Sequence, residues 1–432
     1  MVKRGYGAGL GYTVAFCLAT CLPRNAQAFV FSSAVVASRG ANPSALSRGG
    51  GAIVRARAER TRTIKGLGVA AGESAVESAS TMSTDDGEGM RVAQIQGFTD
   101  TVMEGMAADG MDPSFMAIFG EFLEGYSKCA KMAGTTPEQF QFSLGTLIKM
   151  VPENMKKPYE FELFHASTRE PVDLYAWGND FFRPLVELDK SMLAGKENLA
   201  KIAEYLAKGE NVFLLSNHQV GGGRPPVIAL EERKRDGLAS QLINVAGHRV
   251  TTDPLAIPFS MGRNLFCIFS KKYMETPPEL KGDKQKHNVR TLKKMAEMMS
   301  VGGQFIWVAP SGGRDRPDPE TGKFVVSPYD PKSVEVFRLM AAKAKGREGT
   351  GPATHFFPFA MWTNKLVPPP DQVNKELGER RQADRGPASI AFGEEVLPLP
   401  GQKKMPKDEF VALMEERVKQ EYEQLDNYHS SQ

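Results

Sequence analysis

Residues 304–319 (QFIWVAPSGGRDRPDP) strongly limit which folds and sites this chain can form. Phe305–Val308 is a short apolar, aromatic and β-branched run, which predicts a buried strand. The PSGG sequence at 310–313 then predicts a tight turn, because glycine tolerates backbone conformations closed to other residues. Arg314 and Arg316 follow at once, and two guanidinium groups at the end of a central strand can bind a phosphate or carboxylate. An exposed charged loop is the alternative interpretation, and this segment alone does not decide between them.

Length and composition favour an ordinary globular protein with more than one domain. The chain has 432 residues, which predicts two domains plus processing segments. Its hydrophobic content of 41% and charged content of 24% are typical of globular proteins. The net charge is only +3, with much of the excess at the N-terminus, so we do not infer nucleic-acid binding. No apolar run reaches about 18 residues, so no membrane-spanning helix is predicted.

The N-terminal residues have the composition of targeting segments. Residues 1–28 combine Lys3 and Arg4, a modest apolar region and an A-x-A cleavage signal, which predicts a signal peptide. Residues 29–89 begin with Phe29 and contain no acidic residue before Glu59, which predicts a transit peptide followed by a linker. The two together resemble the bipartite presequence of algae with complex, red-type plastids, and this resemblance implies the plastid stroma. A secreted protein is the alternative.

Cysteine usage agrees with a reducing compartment. Cys17 and Cys21 would leave with the presequence, so only Cys129 and Cys267 remain. Two distant cysteines predict neither a disulfide scaffold nor a zinc site.

The remaining chain changes character near residue 158. Apolar spacing of three and four residues from Val92 onward, with helix starts at Pro113 and at Thr136, predicts a small helical bundle domain over 90–157. Residues 158–432 alternate strand-like runs with amphipathic helices, which predicts a larger α/β domain with a mixed or parallel sheet. The predicted strands are 212–215, 242–245, 265–269, 305–308, 356–360 and 389–392. The predicted helices include 288–299, 333–344 and 405–427.

Three predicted strand ends carry reactive or cationic side chains. His218 follows the strand 212–215, Lys272 and Tyr273 follow the strand 265–269, and Arg314 and Arg316 follow the strand 305–308. Sites of α/β proteins form at such strand ends. A candidate base beside cationic groups predicts transfer to or from a small phosphorylated substrate. Taken alone, the histidine fits a core or capping role and the lysine fits a solvated loop.

Several segments resemble the soluble plastid glycerol-3-phosphate acyltransferases. They are SNHQ at 216–219, RVTTDPLAIPFSMGRNL at 249–265, SKKYM at 270–274 and IWVAPSGGRDRPDPETG at 306–322, continued by 181–191 and 366–373. The resemblance implies a helical bundle plus a larger mixed-sheet α/β domain. It also implies transfer of an acyl group from acyl carrier protein or acyl-CoA to the sn-1 hydroxyl of glycerol 3-phosphate, giving lysophosphatidate for plastid glycerolipid synthesis. This chemistry needs no metal or organic cofactor.

The resemblance also assigns residue roles. His218 stands at the catalytic histidine of the family and would be the general base. Lys272, Arg314 and Arg316 stand at positions that hold the substrate phosphate. Tyr273 replaces a histidine on the phosphate side and can still donate a hydrogen bond.

One position departs from the family pattern, in which an aspartate that orients the imidazole follows the histidine after four intervening residues. That spacing falls on Gly223, and alignment on the downstream PVIAL places Arg224 there instead. By analogy with a catalytic triad, loss of the acid costs about 10²–10⁴ in turnover, and a cation there would lower the pKa of His218.

Three explanations of this departure stay open. Another acid, Asp253 or Asp315, could hold the imidazole of a working enzyme. The chain could instead be an impaired paralogue that binds glycerol 3-phosphate or acyl carrier protein without efficient turnover. Residues 220–224 could also be an error in the gene model. His248 marks a further departure, since it replaces the aspartate of the family's GDR sequence.

Other motifs are weaker. The glycines at 221–223 fit neither the phosphate-binding loop nor the dinucleotide fingerprint. Basic patches at 281–286 and 293–294 could dock an acidic carrier protein, and solvated helix faces are the alternative. The sequence leaves peripheral contact with a membrane open.

Overall fold

The computed structural model describes residues 84–108, 110, 113–219, 237–346, 348–368, 382–398 and 405–432. The predicted signal and transit peptides lie outside these residues. The strands are β1 (Leu193–Ala194), β2 (Asn211–Ser216), β3 (Ile243–Gly247), β4 (Asn264–Ile268), β5 (Phe305–Val308), β6 (Thr354–Trp362) and β7 (Ser389–Phe392). The helices are α1 (Thr84–Ala108), α2 (Pro113–Met132), α3 (Pro137–Lys156), α4 (Leu174–Phe182), α5 (Lys196–Ala207), α6 (Leu238–Gln241), α7 (Ile257–Met261), α8 (Lys271–Met274), α9 (Lys281–Val301), α10 (Pro331–Lys345) and α11 (Lys407–Ser430). Short 3-10 turns occur at Arg183–Leu185, Leu188–Lys190, His248–Thr251 and Pro278–Leu280.

The strands form one mixed sheet in the order β1-β7-β6-β2-β5-β3-β4. Strand β2 pairs in parallel with β5 and β6, and β3 pairs in parallel with β5 and β4. Strand β7 runs antiparallel to β6 and parallel to β1. The carboxyl ends of β6, β2, β5, β3 and β4 therefore meet at one edge of the sheet, where α/β proteins place their sites. The predicted α/β class with a mixed sheet is confirmed.

Apolar and β-branched runs locate the strands well. Strands β5 and β7 have the bounds that their composition predicts, and every residue of each is buried. Strand β6 extends beyond the predicted 356–360, because its partly buried first residues still pair with the start of β2. Strand β1 escapes prediction, since two residues give no periodicity to detect.

One face of the sheet is covered by α9, α10 and α11. Successive side chains of a strand point to opposite faces, so every second residue contributes to this layer. Its members include Phe213, Leu215, Ile306 and Val308 from the strands and Met295, Met299, Val334, Phe337, Met414 and Val418 from the helices. This packing sets the strand ends in fixed register, which in turn fixes the loops that follow them.

Helices α1, α2 and α3 form the N-terminal helical part. A capping box starts α3, since the Thr136 side chain accepts the Gln139 backbone N–H and the Gln139 side chain accepts that of Thr136. The Tyr126 hydroxyl donates to the Phe181 carbonyl (3.0 Å), and their rings stack at 4.4 Å. Helix α2 therefore packs directly on α4.

Several helix bounds differ from the predicted ones; α9, for example, begins at Lys281 rather than at residue 288. Helix α1 begins at Thr84, in the segment predicted as a linker, because polar residues can extend a helix without apolar spacing. Helix α3 contains a buried proline, Pro152, in its last turns. The described residues from Gln94 onward belong to one compact unit, and residues 84–93 belong to a second. That 90–157 is a separate domain stays a prediction.

Candidate active site

Two loops at the carboxyl edge of the sheet carry the candidate site. Strand β2 continues into Asn217, His218 and Gln219, and the neighbouring β5 continues into a turn that leads to Arg314. In that turn Gly312 donates its N–H to the Ala309 carbonyl (3.1 Å) and has φ +69°, a conformation that favours glycine. The two loops therefore face each other across adjacent parallel strands.

A buried carboxylate joins the two loops. Asp315 is fully buried, and its Oδ2 accepts the backbone N–H of His218 (3.2 Å) and the side-chain amide of Asn217 (3.0 Å). Its Oδ1 accepts the Ser327 backbone N–H (3.1 Å), and its own N–H donates to the His218 carbonyl (2.6 Å). Burial raises the pKa of this carboxyl, although the hydrogen bonds act in the opposite direction. Asp315 thus binds the backbone of His218 rather than its ring.

The flanking residues of His218 are anchored as well. The Asn217 side chain donates to the Met361 carbonyl (3.0 Å) and accepts the Met361 N–H (2.9 Å) at the end of β6. The Gln219 side chain donates to the Tyr422 hydroxyl of α11 (2.9 Å) and accepts the Thr363 N–H (2.7 Å). His218 therefore projects from a segment that is held on both sides.

The two predicted phosphate-binding arginines have different surroundings. The Arg314 guanidinium donates from Nε to the Gln219 carbonyl (2.6 Å) and from Nη2 to the Val367 carbonyl (2.5 Å). The Nη1 of Arg316 is buried and has no hydrogen-bond partner in the described part of the chain. A buried guanidinium nitrogen without a partner is costly, so this atom is suited to receive a ligand oxygen.

The electrostatic environment keeps His218 neutral. Burial lowers the pKa of its imidazole to about 4, with a further lowering by the Arg314 and Arg316 cations. A hydrogen bond to the Gly313 backbone opposes this shift. The ring meets the Trp307 indole edge to face, with the centroids 5.8 Å apart.

A second cluster follows β3 and β4, the next strands along the same edge. The Arg249 guanidinium donates to the Tyr273 hydroxyl (3.5 Å), and the His248 ring packs on Phe269 (4.6 Å) and Tyr273 (5.2 Å). The pKa of His248 is lowered by burial and then by the cations of Lys284 and Arg249. The sequence-predicted Tyr273 therefore lies in a cationic, aromatic setting.

Helix α9 supports this second cluster through a buried lysine. Lys284 is only 6% exposed, and its ammonium group donates to the backbone carbonyls of Tyr273 (2.8 Å) and Thr276 (2.5 Å). The basic patch 281–286 is therefore not uniformly a solvated helix face. A charged residue in a basic run gives no sequence signal that distinguishes a buried member from exposed ones.

Three of the predicted positions lie wholly or partly outside the described residues. Lys272 lies in α8, but its side chain is outside the described residues, as are Gly223 and Arg224. Lys271 beside it forms an ion pair with Asp330 (2.8 Å).

Sequence reasoning missed the supporting residues. Asn217 and Gln219 adjoin the predicted base, and their position beside a histidine at a strand end could have marked them. The role of Asp315 depends on contacts with residues 97 positions away, which no local pattern encodes. Trp307 was predicted as a strand residue only, and its Nε1 is buried without a hydrogen-bond partner among the described residues.

Neither a metal-binding cluster nor a membrane-spanning helix occurs among the described residues. In those ranges no group of three or more His, Cys, Asp or Glu is arranged to hold a metal ion. None of the helices described is long and apolar enough to cross a bilayer.

A family model described as "Acyltransferase" matches residues 194–362, which span β1 to β6 and include the His218 and Arg316 loops. This part of the chain is therefore similar to an acyltransferase domain. The matched residues include a histidine at the end of β2 and two arginines on the loop after the neighbouring β5.

Proteins from plant chloroplasts are similar to a longer part of the chain than the family model. The chloroplastic glycerol-3-phosphate acyltransferase of Arabidopsis thaliana is 40% identical over 227 residues, covering 52% of this chain and 48% of that protein. The protein of the same name from Spinacia oleracea is 41% identical over 240 residues, covering 55% and 49%. The chain thus spans about half the length of these relatives. Among solved structures, the 1-acyl-sn-glycerophosphate acyltransferase of Thermotoga maritima matches with a TM-score of 0.33 and 19% identity, covering 59% of this chain and 78% of that one.

Proposed function

We propose that the protein transfers an acyl group to the sn-1 hydroxyl of glycerol 3-phosphate and releases lysophosphatidate. The observation that carries the proposal is the pairing of two groups on adjacent strand ends. His218 is a neutral imidazole after β2, and Arg316 after β5 has a buried guanidinium nitrogen without a partner among the described residues. The names of the relatives, which are about 40% identical, supply the substrate.

In this proposal Arg316 holds the substrate phosphate. A guanidinium group can grip two phosphate oxygens, and a ligand there would satisfy the buried Nη1. Lys272, Tyr273 and Arg314 are the further phosphate-side residues that the family resemblance implies. Tyr273 is supported by the neighbouring Arg249 cation.

His218 then acts as the general base. Its neutral ring takes the proton of the glycerol hydroxyl while that oxygen attacks the thioester carbonyl. The tetrahedral intermediate collapses with loss of the thiolate, and the imidazolium returns the proton to the leaving sulfur. Each bond formed or broken is accounted for without a metal or organic cofactor.

The proposal also includes the acyl donor and the cellular compartment of the protein. An acyl carrier protein or acyl-CoA thioester is the acyl donor. Relatives named chloroplastic and the acid-free segment after residue 28 support the plastid, and the predicted bipartite presequence favours its stroma. Fusing residues 1–89 to a fluorescent protein tests the location. Fluorescence that stays outside the plastid would contradict the plastid assignment.

A second candidate is a protein that binds glycerol 3-phosphate or acyl carrier protein and turns over poorly. The low pKa of His218 favours it, because an imidazole with a pKa of about 4 is a weak base at neutral pH. The missing acid at Gly223 or Arg224 favours it as well.

The test is a product analysis with the full chain. Labelled glycerol 3-phosphate is supplied with acyl-CoA and with acyl carrier protein thioesters, and binding is measured by calorimetry in parallel. The proposal expects 1-acyl product with at least one donor. Binding without product selects the second candidate. Stabilisation by ATP or NADH, with no response to glycerol 3-phosphate, would contradict both.

A further inference from the structure

We propose that Asp315 is a positioning residue that fixes the distance between the base His218 and the phosphate site at Arg316. The proposal rests on the proposed function, since it assigns His218 and Arg316 the roles given above. It concerns an acid that does not touch the imidazole or the substrate, and that therefore acts through the backbone.

The first support is a reciprocal pair of backbone contacts. The His218 N–H donates to Asp315 Oδ2 (3.2 Å), and the Asp315 N–H donates to the His218 carbonyl (2.6 Å). Both polar groups of the His218 backbone are thereby bound to one residue of the neighbouring loop. His218 cannot shift along or away from that loop without breaking both bonds.

The second support is that the carboxylate is itself held by hydrogen bonds on both oxygens. Its two oxygens accept three N–H donors, from His218, Asn217 and Ser327, and the residue is fully buried. Asn217 is tied in turn to Met361 at the end of β6. These hydrogen bonds around Asp315, called the brace below, link three adjacent strand ends, those of β6, β2 and β5.

The third support is the position of Asp315 in the chain. It directly precedes Arg316, so one rigid residue connects the base on one side to the cation on the other. The hydroxyl and the phosphate of glycerol 3-phosphate are separated by a short, fixed number of bonds. Misplacing reacting groups by about 1 Å can cost about 10²-fold in rate.

Arg314 extends the same brace. Its guanidinium binds the carbonyl of Gln219, the residue after His218. Asp315 and Arg314 thus bind the backbone of the histidine segment. The buried Nη1 of Arg316 is the atom that can bind a ligand.

The test compares kcat and glycerol 3-phosphate affinity in variants of the full chain. Asp315→Asn keeps one acceptor oxygen but presents N–H groups to N–H donors, which disrupts the brace. We expect kcat to fall about 10- to 100-fold, with Kd for glycerol 3-phosphate changed by less than about threefold. Arg316→Lys should show the opposite split, with Kd raised at least about tenfold.

A matched control lies on the same loop. Asp318 accepts the backbone N–H groups of Glu320 and Thr321, so Asp318→Asn removes a carboxylate without touching His218. Its kcat should match that of the wild type. If Asp315→Asn does not fold, Asn217→Ser carries the test, because it removes one of the three donors to Asp315. A smaller fall in kcat at unchanged Kd is then expected.

The outcomes separate the two proposals. Full kcat in Asp315→Asn, or in Asn217→Ser where that variant carries the test, overturns the positioning role and leaves the proposed function standing. Loss of affinity in Asp315→Asn equal to that in Arg316→Lys also overturns it, because the acid would then serve the phosphate site. A wild type that neither binds nor acylates glycerol 3-phosphate overturns the proposed function itself.

Discussion

At the scale of single residues, the protonation state of the His218 imidazole determines whether the site can accept a proton. His218 lies beside two arginines in a partly buried position, so the neutral ring is strongly favoured. A neutral imidazole can accept a proton, but a low pKa weakens it as a base. In the proposed function, a phosphate dianion bound at Arg316 would offset part of the cationic influence and would raise the pKa of His218.

The protonation state of His218 is directly measurable. Its pKa is lowered to about 4, below the ordinary value of 6.5, so the ring should not titrate between pH 8 and pH 5.5. Proton NMR of the imidazole, assigned with His218→Gln, checks this. A midpoint near pH 6.5 would contradict it.

The lowered pKa of His218 also determines how the stability of the folded chain changes with pH. Between pH 6.5 and about 4 the unfolded chain binds the proton that the folded ring refuses, so the contribution of His218 to stability is lost as the pH falls through that window.

At the scale of elements, α9 determines how the loop after β4 is held. The buried Lys284 ammonium binds two carbonyls of the segment that carries Tyr273. The side chains of Asn288 and His287 on the same helix bind the backbone of Phe269 and Cys267. Helix α9 thereby fixes the loop after β4, which carries Tyr273.

Replacing the buried lysine should loosen that loop. In Lys284→Met the two carbonyls lose charged donors, and we expect the free energy of unfolding to fall by about 1.5–3 kcal/mol. KM for glycerol 3-phosphate should rise about 3- to 30-fold with little change in kcat. Denaturant unfolding and steady-state kinetics measure the two effects.

The control is Lys286→Met on the same helix. Its side chain is 78% exposed and pairs only with Asp283 among the contacts described, so both quantities should stay at their wild-type values. Equal effects of the two substitutions would show that Lys284 has no special role.

At the scale of the whole molecule, a second titrating cluster lies at the opposite edge of the sheet. His355 at the start of β6 contacts Glu395 (2.6 Å) and Glu210 (2.9 Å), and its ring stacks on Tyr205 at 3.7 Å. Burial lowers the pKa of His355, but the two carboxylates outweigh burial and raise it. The cluster joins α5, the entries to β2 and β6, and the segment after β7.

The expected consequence is a stability that falls as the pH rises. Because the folded pKa of His355 lies above its unfolded value, the stabilisation is complete below about pH 6.5 and disappears as the pH passes the folded pKa. Urea unfolding at pH 6 and pH 9 should show a larger loss for the wild type than for His355→Gln. Equal losses in the two proteins would refute the assignment.

The sequence predicts much of the architecture and only part of the site. Strand β5 and the turn after it are encoded locally by an apolar run and glycines, so the position of Arg316 follows from the pattern. The partners of Asp315 and Lys284 are not encoded locally, because they arise where distant strand ends meet. The phosphate-side assignment of Arg314 stays a prediction, and its carbonyl contacts could not have been anticipated from a charged triplet.

The proposed activity depends on His218 acting on the hydroxyl of a substrate whose phosphate Arg316 holds in place. The most direct measurement is the rate of lysophosphatidate formation by the full chain and by His218→Gln, with glycerol 3-phosphate binding measured on the same preparations. We predict that the substitution lowers kcat by at least about 10²-fold and leaves the binding affinity nearly unchanged. Product formation by His218→Gln at the wild-type rate would contradict the account.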